Sequence, residues 1–261
     1  MSFKTLLFYT ALATSALLPS PAYSQEKTKL EVKAGTGTIY NFGPGNLEEI
    51  AKRELLDLSK RADAEDEFRV YKSGQDVIME DIGYEEQLMN TKFRFSGDDV
   101  KAEEEVVMCH VHLDIMPHYK EAFSNYLAMH KDEWASKKSE LIEGYINKLK
   151  ILYMSVPLTK DVTSLRQVEK ALPNNHCKEI IASNGQYPGI FEMSLNPLDS
   201  YEDLYKKFHE GASFQDFMKL AEQKGIKFTP SEKPRIFPEE QIRKDINKLA
   251  DEFIAVQTAN N

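Results

Sequence analysis

The chain has 261 residues, of which 41% are hydrophobic and 29% are charged. This composition is typical of a folded protein with its own core, and it excludes collagen-like and disordered chains. The net charge of −9 argues against the clustered lysines and arginines with which proteins neutralise phosphates. We therefore expect no nucleic-acid partner.

The first residues have the three parts of a secretory signal peptide. Lys4 is followed by an apolar run over residues 5–18 and then by small residues at Ala22 and Ser24. The run is shorter than the roughly 20 residues that cross a bilayer, and no later stretch reaches that length. We predict a signal peptide over residues 1–24 and an exported (periplasmic or secreted), soluble product without a membrane span. A buried N-terminal helix is the alternative interpretation.

The chain has two cysteines, Cys109 and Cys177. In an oxidising compartment such a pair can close a disulfide. Cys109 lies in an apolar strand pattern, where a lone thiol behaves as a small buried hydrophobe. A bridge and two separate thiols both remain open.

Residues 25–97 predict a first unit with the order β, α, β, β, α. Extended structure over residues 29–42 ends at Gly43, and Asn46 is placed to cap a helix with apolar residues every three or four positions between Leu47 and Ala62. Residues 68–71 and 77–82 flank a turn with glycine and predict a hairpin. A short helix is expected over 84–90, and the acidic residues 98–105 predict a connector.

Residues 106–228 predict a second unit with the same order. Strands are expected over 106–115, 147–155 and 189–195, with a helix opened by Pro117 after the first strand. Residues 156–188 are a polar insertion with a short helix over 164–172. After the third strand, Ser200 is placed to cap one helix and Ser213 another.

Residues 229–261 form the tail, in which Pro238 opens a C-terminal helix. One side of this helix is apolar and must pack either on the protein's own core or on a partner subunit. That stripe consists of Ile242, Ile246, Leu249 and Phe253.

The second unit resembles the dimeric α/β-barrel superfamily, which includes antibiotic-biosynthesis-type monooxygenases and haem-degrading proteins. The resemblance is carried by the strand 189–195, the helix that starts at Ser200 and continues to Phe208, and the short aromatic helix with Phe214 and Phe217. It implies an α+β fold with two ferredoxin-like βαββα halves, whose antiparallel sheets pack into an α/β-barrel-like arrangement and enclose a small cavity.

A His-x-His pair is the main candidate for chemistry. Alternation along strand 106–115 places His110, His112 and Asp114 on one face and apolar residues on the other. Two imidazoles at this spacing can both reach one metal ion or one acidic ligand. We predict that His110 and His112 orient a ligand or transfer protons, supported by Asp114. A solvated strand face with no function is the alternative.

A metal site would need a third protein ligand. Asp114, His118, His130 and residues of the first half are the candidates. Met108, on the same face as the histidines, and His130 and Trp134, on the following helix, are the candidate ligand-binding residues. The haem-degrading relatives use histidine, asparagine and tryptophan at other positions, so no haem role is carried over.

The chain has no phosphate-binding glycine loop, serine nucleophile elbow or Cys-x-x-Cys pair. The leading hypothesis is an exported protein that binds a small apolar molecule between its sheets, with cofactor-independent monooxygenase chemistry as the activity implied by the resemblance. The competing hypothesis is a non-catalytic module whose C-terminal helix docks a partner. An exported metal-binding protein is the third. The sequence does not determine the cofactor, the metal, or whether the protein is a monomer or a homo-oligomer.

Overall fold

The structure, a computed structural model, describes residues 28–29, 39–61, 67–81, 105–171, 176–194 and 201–259. The predicted signal peptide, the predicted helix over 84–90, nearly all of the acidic connector and Ser200 lie outside the described residues. Within the described part of the chain, no helix is both long enough and apolar enough to cross a membrane.

In the described part of the chain, eight strands form one sheet in the order β1-β2-β4-β3-β5-β6-β7-β8. Neighbouring strands are antiparallel, with the exception of β5 and β6, which are parallel. The strands are β1 (Thr28–Lys29), β2 (Ile39–Pro44), β3 (Glu67–Ser73), β4 (Asp76–Asp81), β5 (Val106–His112), β6 (Cys177–Ser183), β7 (Gly189–Met193) and β8 (Ile226–Pro230).

Seven α-helices are described with this sheet. They are α1 (Leu47–Ser59), α2 (Tyr119–Met129), α3 (Trp134–Met154), α4 (Thr159–Ala171), α5 (Glu202–His209), α6 (Phe214–Gln223) and α7 (Glu239–Ala259). A 3-10 turn over Met116–His118, with proline in its first turn, leads into α2.

The local signals of the first unit are confirmed. The Asn46 side chain accepts a hydrogen bond from the backbone N–H of Glu49 and caps α1. β3 and β4 form a hairpin around Gly74, which has a φ of +66°. Glycine adopts that left-handed conformation without steric strain.

The strand predicted over 147–155 is wrong, because residues 147–154 belong to helix α3 and Ser155 follows its last residue. Buried side chains recur along α3 at Ile142, Ile146, Leu149 and Tyr153, which is the spacing of a helix. β6 and β8 were not predicted, and β6 lies in the segment that we expected to be a polar insertion.

The α+β class is confirmed, whereas the pair of packed antiparallel sheets is corrected to a single mixed sheet. β6 pairs in parallel with β5 from Val106↔Cys177 to His112↔Ser183. This pairing joins the strands of both halves side by side, so among the described strands no second sheet faces the first.

Helices cover both faces of the sheet. α1 packs on one face, against β3, β5 and β6. α4 contacts β6, and α6 contacts β8. The core under α1 includes Val107, Cys109 and Val111, while Met108 belongs to the core on the opposite face. The alternation predicted for β5 is therefore confirmed.

The apolar stripe of the C-terminal helix packs on the protein's own helices. Ile242 and Ile246 are fully buried in a third core formed with α2 and α3, and Leu249 and Phe253 pack against that core. This is the first of the two alternatives that the sequence left open.

Cys109 and Cys177 are both buried free thiols. They lie on adjacent strands but belong to cores on opposite faces of the sheet. Side chains that point away from each other cannot be bridged without moving the backbone, so the structure favours separate thiols.

Candidate metal centre

The two histidines of β5 lie in the interior. His110 is 7% exposed and His112 is 5% exposed, so the solvated face that was the alternative interpretation is excluded. Strand β5 is buried at all seven positions because β3 and β6 flank it and helices cover its faces. Two imidazoles in such an environment need polar partners.

Helix α4 supplies a carboxylate to the same place. Asp161 lies in the first turn of α4 and is 4% exposed. Its Oδ2 accepts a 2.5 Å hydrogen bond from the backbone N–H of Leu158, just before the helix. The apolar side of α4, with Val162 and Leu165, is buried in the core on this face of the sheet. Burial of that side directs the first turn of α4 toward the histidines.

Three ligand atoms converge. The Nε2 atoms of His110 and His112 are 3.0 Å apart. Oδ2 of Asp161 lies 3.4 Å from Nε2 of His112, and Oδ1 lies 3.7 Å from Nε2 of His110. Ligands held at the usual 2.0–2.1 Å around a tetrahedral zinc ion are about 3.3 Å from one another. One ligand atom from each of the three residues lies within 4.8 Å of the other two, and this triangle of atoms could hold one metal ion.

Each imidazole has an acceptor on its other nitrogen. Nδ1 of His110 lies 3.0 Å from Oε1 of Glu179, and Nδ1 of His112 lies 3.5 Å from the backbone oxygen of Ser155. Metal-binding histidines usually donate this second N–H to a carboxylate or a carbonyl. When both Nδ1 atoms carry the proton and neither ring is charged, the two Nε2 lone pairs face each other, and a metal ion or a proton between them relieves their repulsion.

The electrostatics of the cluster favour bound positive charge. Burial opposes the charged form of His110, but the hydrogen bond to Glu179 and the charges of Glu179 and Asp161 outweigh it and raise the pKa of His110 to about 9. Burial also raises the pKa of Glu179. For Asp161 burial acts in the same direction, but the adjacent imidazoles and the Leu158 N–H lower its pKa to about 2.

Further polar atoms surround the triangle. Among the described residues, both carboxylate oxygens of Glu179 and Oγ of Ser183 are buried without a hydrogen bond of regular geometry, although Oε1 of Glu179 lies 3.0 Å from Nδ1 of His110. Ser183 is opposite His112 in the parallel register of β5 and β6. Half-buried Glu67 is opposite His110 in the antiparallel register of β3 and β5, and its charge acts on that imidazole.

Of the residues predicted from the sequence, only His110 and His112 meet at this centre. Asp114 pairs with Arg235 at 3.3 Å and accepts the N–H of Met116. His118 is exposed at the start of α2. Neither of the two is among the converging ligand atoms.

The predicted ligand-binding residues are divided between two cores. Met108 lies two positions before His110 on the same face of β5. Trp134 is buried among α2, α3 and α7, where its Nε1–H donates to the carbonyl of Leu127. His130 contacts Glu133 at 3.3 Å and the ring of Tyr126. His130 and Trp134 thus belong to the helical part of the molecule.

Sequence reasoning missed Asp161 and Glu179, which both lie in the predicted insertion. Their signals were present. Val162, Leu165 and Val168 recur at helical spacing directly after Asp161, and the run Ile180-Ile181-Ala182 after Glu179 is typical of a short buried strand.

An apolar groove of about 570 Å³ lies next to the centre. Leu158, whose N–H bonds Asp161, is one of its lining residues, and Tyr205, whose hydroxyl donates to the Leu158 carbonyl at 3.1 Å, is another. His110 and His112 do not line this groove, so it differs from the cavity that we expected beside them.

Comparison with known proteins gives no relative for this arrangement: no family model, curated protein or solved structure matches the chain.

Proposed function

We propose that this protein binds a divalent transition-metal ion between His110, His112 and Asp161 and uses it as a Lewis acid in hydrolysis. The observation that carries the proposal is the convergence of two Nε2 atoms and a carboxylate, each imidazole having an acceptor at Nδ1.

The donor set selects the kind of metal. Two imidazole nitrogens and one carboxylate suit zinc and other first-row transition metals, whereas Ca²⁺ and Mg²⁺ prefer oxygen ligands. Cys109 faces the other side of the sheet and does not compete. At physiological metal concentrations, we expect zinc to occupy this site.

The number of protein ligands supports a reactive centre. Catalytic zinc sites use three protein ligands and keep a fourth position for water, whose pKa the ion lowers to about 7. The hydroxyl of Ser183, next to His112 on the same face, can bond a water at that position. Glu67, which is opposite His110 in the register of β3 and β5, would be the base that accepts a proton from such a water.

Export is part of the proposal and is supported by the amino-terminal pattern of Lys4, an apolar run and small residues. Expression of the full chain in a bacterial host, fractionation, and the intact mass of the product test it. A mass that begins at Gln25, in the exported fraction, is the expected result. An unprocessed chain in the cytoplasmic fraction would contradict it.

Metal binding is tested with matched variants. The purified protein is stripped with EDTA and titrated with Zn²⁺ against a chromophoric chelator. We expect one ion per chain, and loss of binding in His112→Gln and Asp161→Asn. His130→Gln and Asp114→Asn make the same changes outside the triangle and should bind like the wild type. Equal binding by all four variants would reject the site.

Hydrolysis is tested separately on the loaded protein. p-Nitrophenyl esters and internally quenched peptides are offered to the Zn²⁺-loaded, the EDTA-treated and the Glu67→Gln proteins. We expect turnover with the loaded wild type alone and recovery when Zn²⁺ is returned to the EDTA-treated sample. Turnover that is unaffected by EDTA would reject metal-dependent hydrolysis.

A second candidate function is binding of a small apolar molecule, as we expected from the sequence. The groove beside Leu158 favours it, since the volume suits a small ligand and Ile151, Leu152 and Phe208 are among the lining residues. Calorimetric titration with dodecanoate tests it. Binding by the wild type and its loss in Ile151→Asp, with Val256→Asp as the exposed control, is the expected result. An absence of heat with the wild type would contradict it.

A further inference from the structure

The C-terminal end of helix α3 has an unusual backbone conformation. Ser155 follows the last residue of α3 and has φ 51° and ψ 39°, in the left-handed region. Among the described residues, it is the only one other than glycine with a positive φ. A side chain disfavours this region because Cβ approaches the following carbonyl oxygen. Such residues persist only where their surroundings hold them, and they are concentrated at functional sites.

The surroundings of Ser155 are close and specific. The N–H of Ser155 donates to the carbonyl of Leu152 at 3.1 Å, and the N–H of Gln186 donates to the carbonyl of Tyr153 at 2.6 Å. A Cβ on Gly185 would lie 2.1 Å from that Tyr153 oxygen and 2.3 Å from the Ser155 Oγ. The turn between β6 and β7 therefore needs glycine at this position, because the end of α3 lies directly against it.

This conformation directs the Ser155 carbonyl toward the metal centre. The carbonyl oxygen of Ser155 lies 3.5 Å from Nδ1 of His112. The hydroxyl of Ser155 lies 3.4 Å from the carbonyl oxygen of Leu113, the residue that follows His112. A right-handed φ at Ser155 would continue α3 and turn the carbonyl along the helix axis, away from His112.

We propose that Ser155 is a positioning residue for His112. Its left-handed backbone holds a carbonyl at Nδ1, which keeps the proton on Nδ1 and leaves Nε2 free for the ion. The inference rests on the proposed metal site and assigns to the backbone conformation, rather than to the hydroxyl, the control of the imidazole tautomer.

Two substitutions separate the backbone from the hydroxyl. Ser155→Gly favours the left-handed conformation and removes the hydroxyl, whereas Ser155→Thr keeps a hydroxyl but disfavours that conformation by β-branching. Affinity for Co²⁺ and the visible absorption of the bound ion are measured on the full chain. We expect Ser155→Gly to bind Co²⁺ within about threefold of the wild type and Ser155→Thr to bind about 10- to 100-fold more weakly, with an altered spectrum.

The outcomes are distinguishable. A wild type that binds no Co²⁺ rejects the metal site itself. A wild type that binds Co²⁺, with Ser155→Gly weakened as much as Ser155→Thr or with neither weakened, overturns the positioning role. Melting temperatures in EDTA identify a variant that is merely unfolded.

If Ser155→Thr does not fold, the positioning role is tested by the nitrogen-15 chemical shifts of His112 in the Zn²⁺-loaded wild type and in Zn²⁺-loaded Ser155→Gly. We expect a protonated Nδ1 and a metal-bound Nε2 in both. A metal-bound Nδ1 in either protein overturns the inference.

Discussion

Replacement of Glu179 by glutamine is the sharpest test of how the centre is built. Glu179 is 1% exposed, and its Oε1 lies 3.0 Å from Nδ1 of His110. Glutamine has the same shape but no charge. The substitution therefore keeps the packing and removes the carboxylate that raises the pKa of His110 and orients its ring.

The expected effect is on metal affinity. Loss of an outer carboxylate partner of a metal-binding histidine typically weakens binding by about 10- to 100-fold. Each factor of ten corresponds to about 1.4 kcal/mol of binding free energy, so the expected loss is about 1.4–2.8 kcal/mol. The stability of the metal-free protein should change less, because the substitution also removes the cost of burying a carboxylate whose pKa is raised.

The assay is competition for Zn²⁺ with a chromophoric chelator at pH 7.5, together with urea unfolding in EDTA. Glu192→Gln is the matched control, since Glu192 lies on the adjacent strand β7 and pairs with Lys52 at 2.9 Å. Wild-type affinity in Glu179→Gln, or an equal loss in Glu192→Gln, would refute the carboxylate–imidazole–metal arrangement.

Three further predictions concern the fold. Burial raises the pKa of the Cys109 and Cys177 thiols, so we expect no rapid reaction with Ellman's reagent at pH 8 in the native state and two thiols per chain in urea without reductant; zero thiols would indicate a disulfide. Ile246→Ala should lower the unfolding free energy by about 2–5 kcal/mol in urea titration, because Ile246 is fully buried. Val256→Ala is the control, since Val256 is 59% exposed, and it should leave the unfolding free energy nearly unchanged. Equal effects of the two substitutions would contradict the packing of α7. Arg69→Met removes the cation that pairs with the buried carboxylate of Glu80 on β4, and urea titration should show an unfolding free energy lower by about 3–5 kcal/mol. A decrease below about 1 kcal/mol would mean that the Arg69–Glu80 pair is solvated.

The sequence predicted those features that depend on neighbouring residues. Alternation along β5 placed His110 and His112 on one face, because successive side chains of any strand point to opposite sides. Asn46 was recognised as a cap for the same local reason, since its side chain needs to reach only the third residue ahead. The apolar stripe of α7 also follows from helical spacing alone.

The period of an apolar run was harder to interpret. Residues 147–155 satisfy both alternation and helical spacing over a short window, and only the longer run from Ile142 to Tyr153 distinguishes them. The error added a strand that the protein does not have, and β6 stayed unrecognised. The partner of β5 and the single sheet that results could not be predicted afterwards.

The sequence by itself determined that this chain builds an α+β fold and presents two imidazoles together on one strand face. Only the tertiary structure decided what meets them. Asp161 reaches the centre on α4, and Glu179 reaches it on β6 through parallel pairing with β5 after a long helical crossover. Such pairing depends on burial summed over the whole sheet rather than on any local window of residues. A His-x-His pattern is therefore visible in the sequence, whereas the carboxylates that make it a candidate metal centre become visible in the fold.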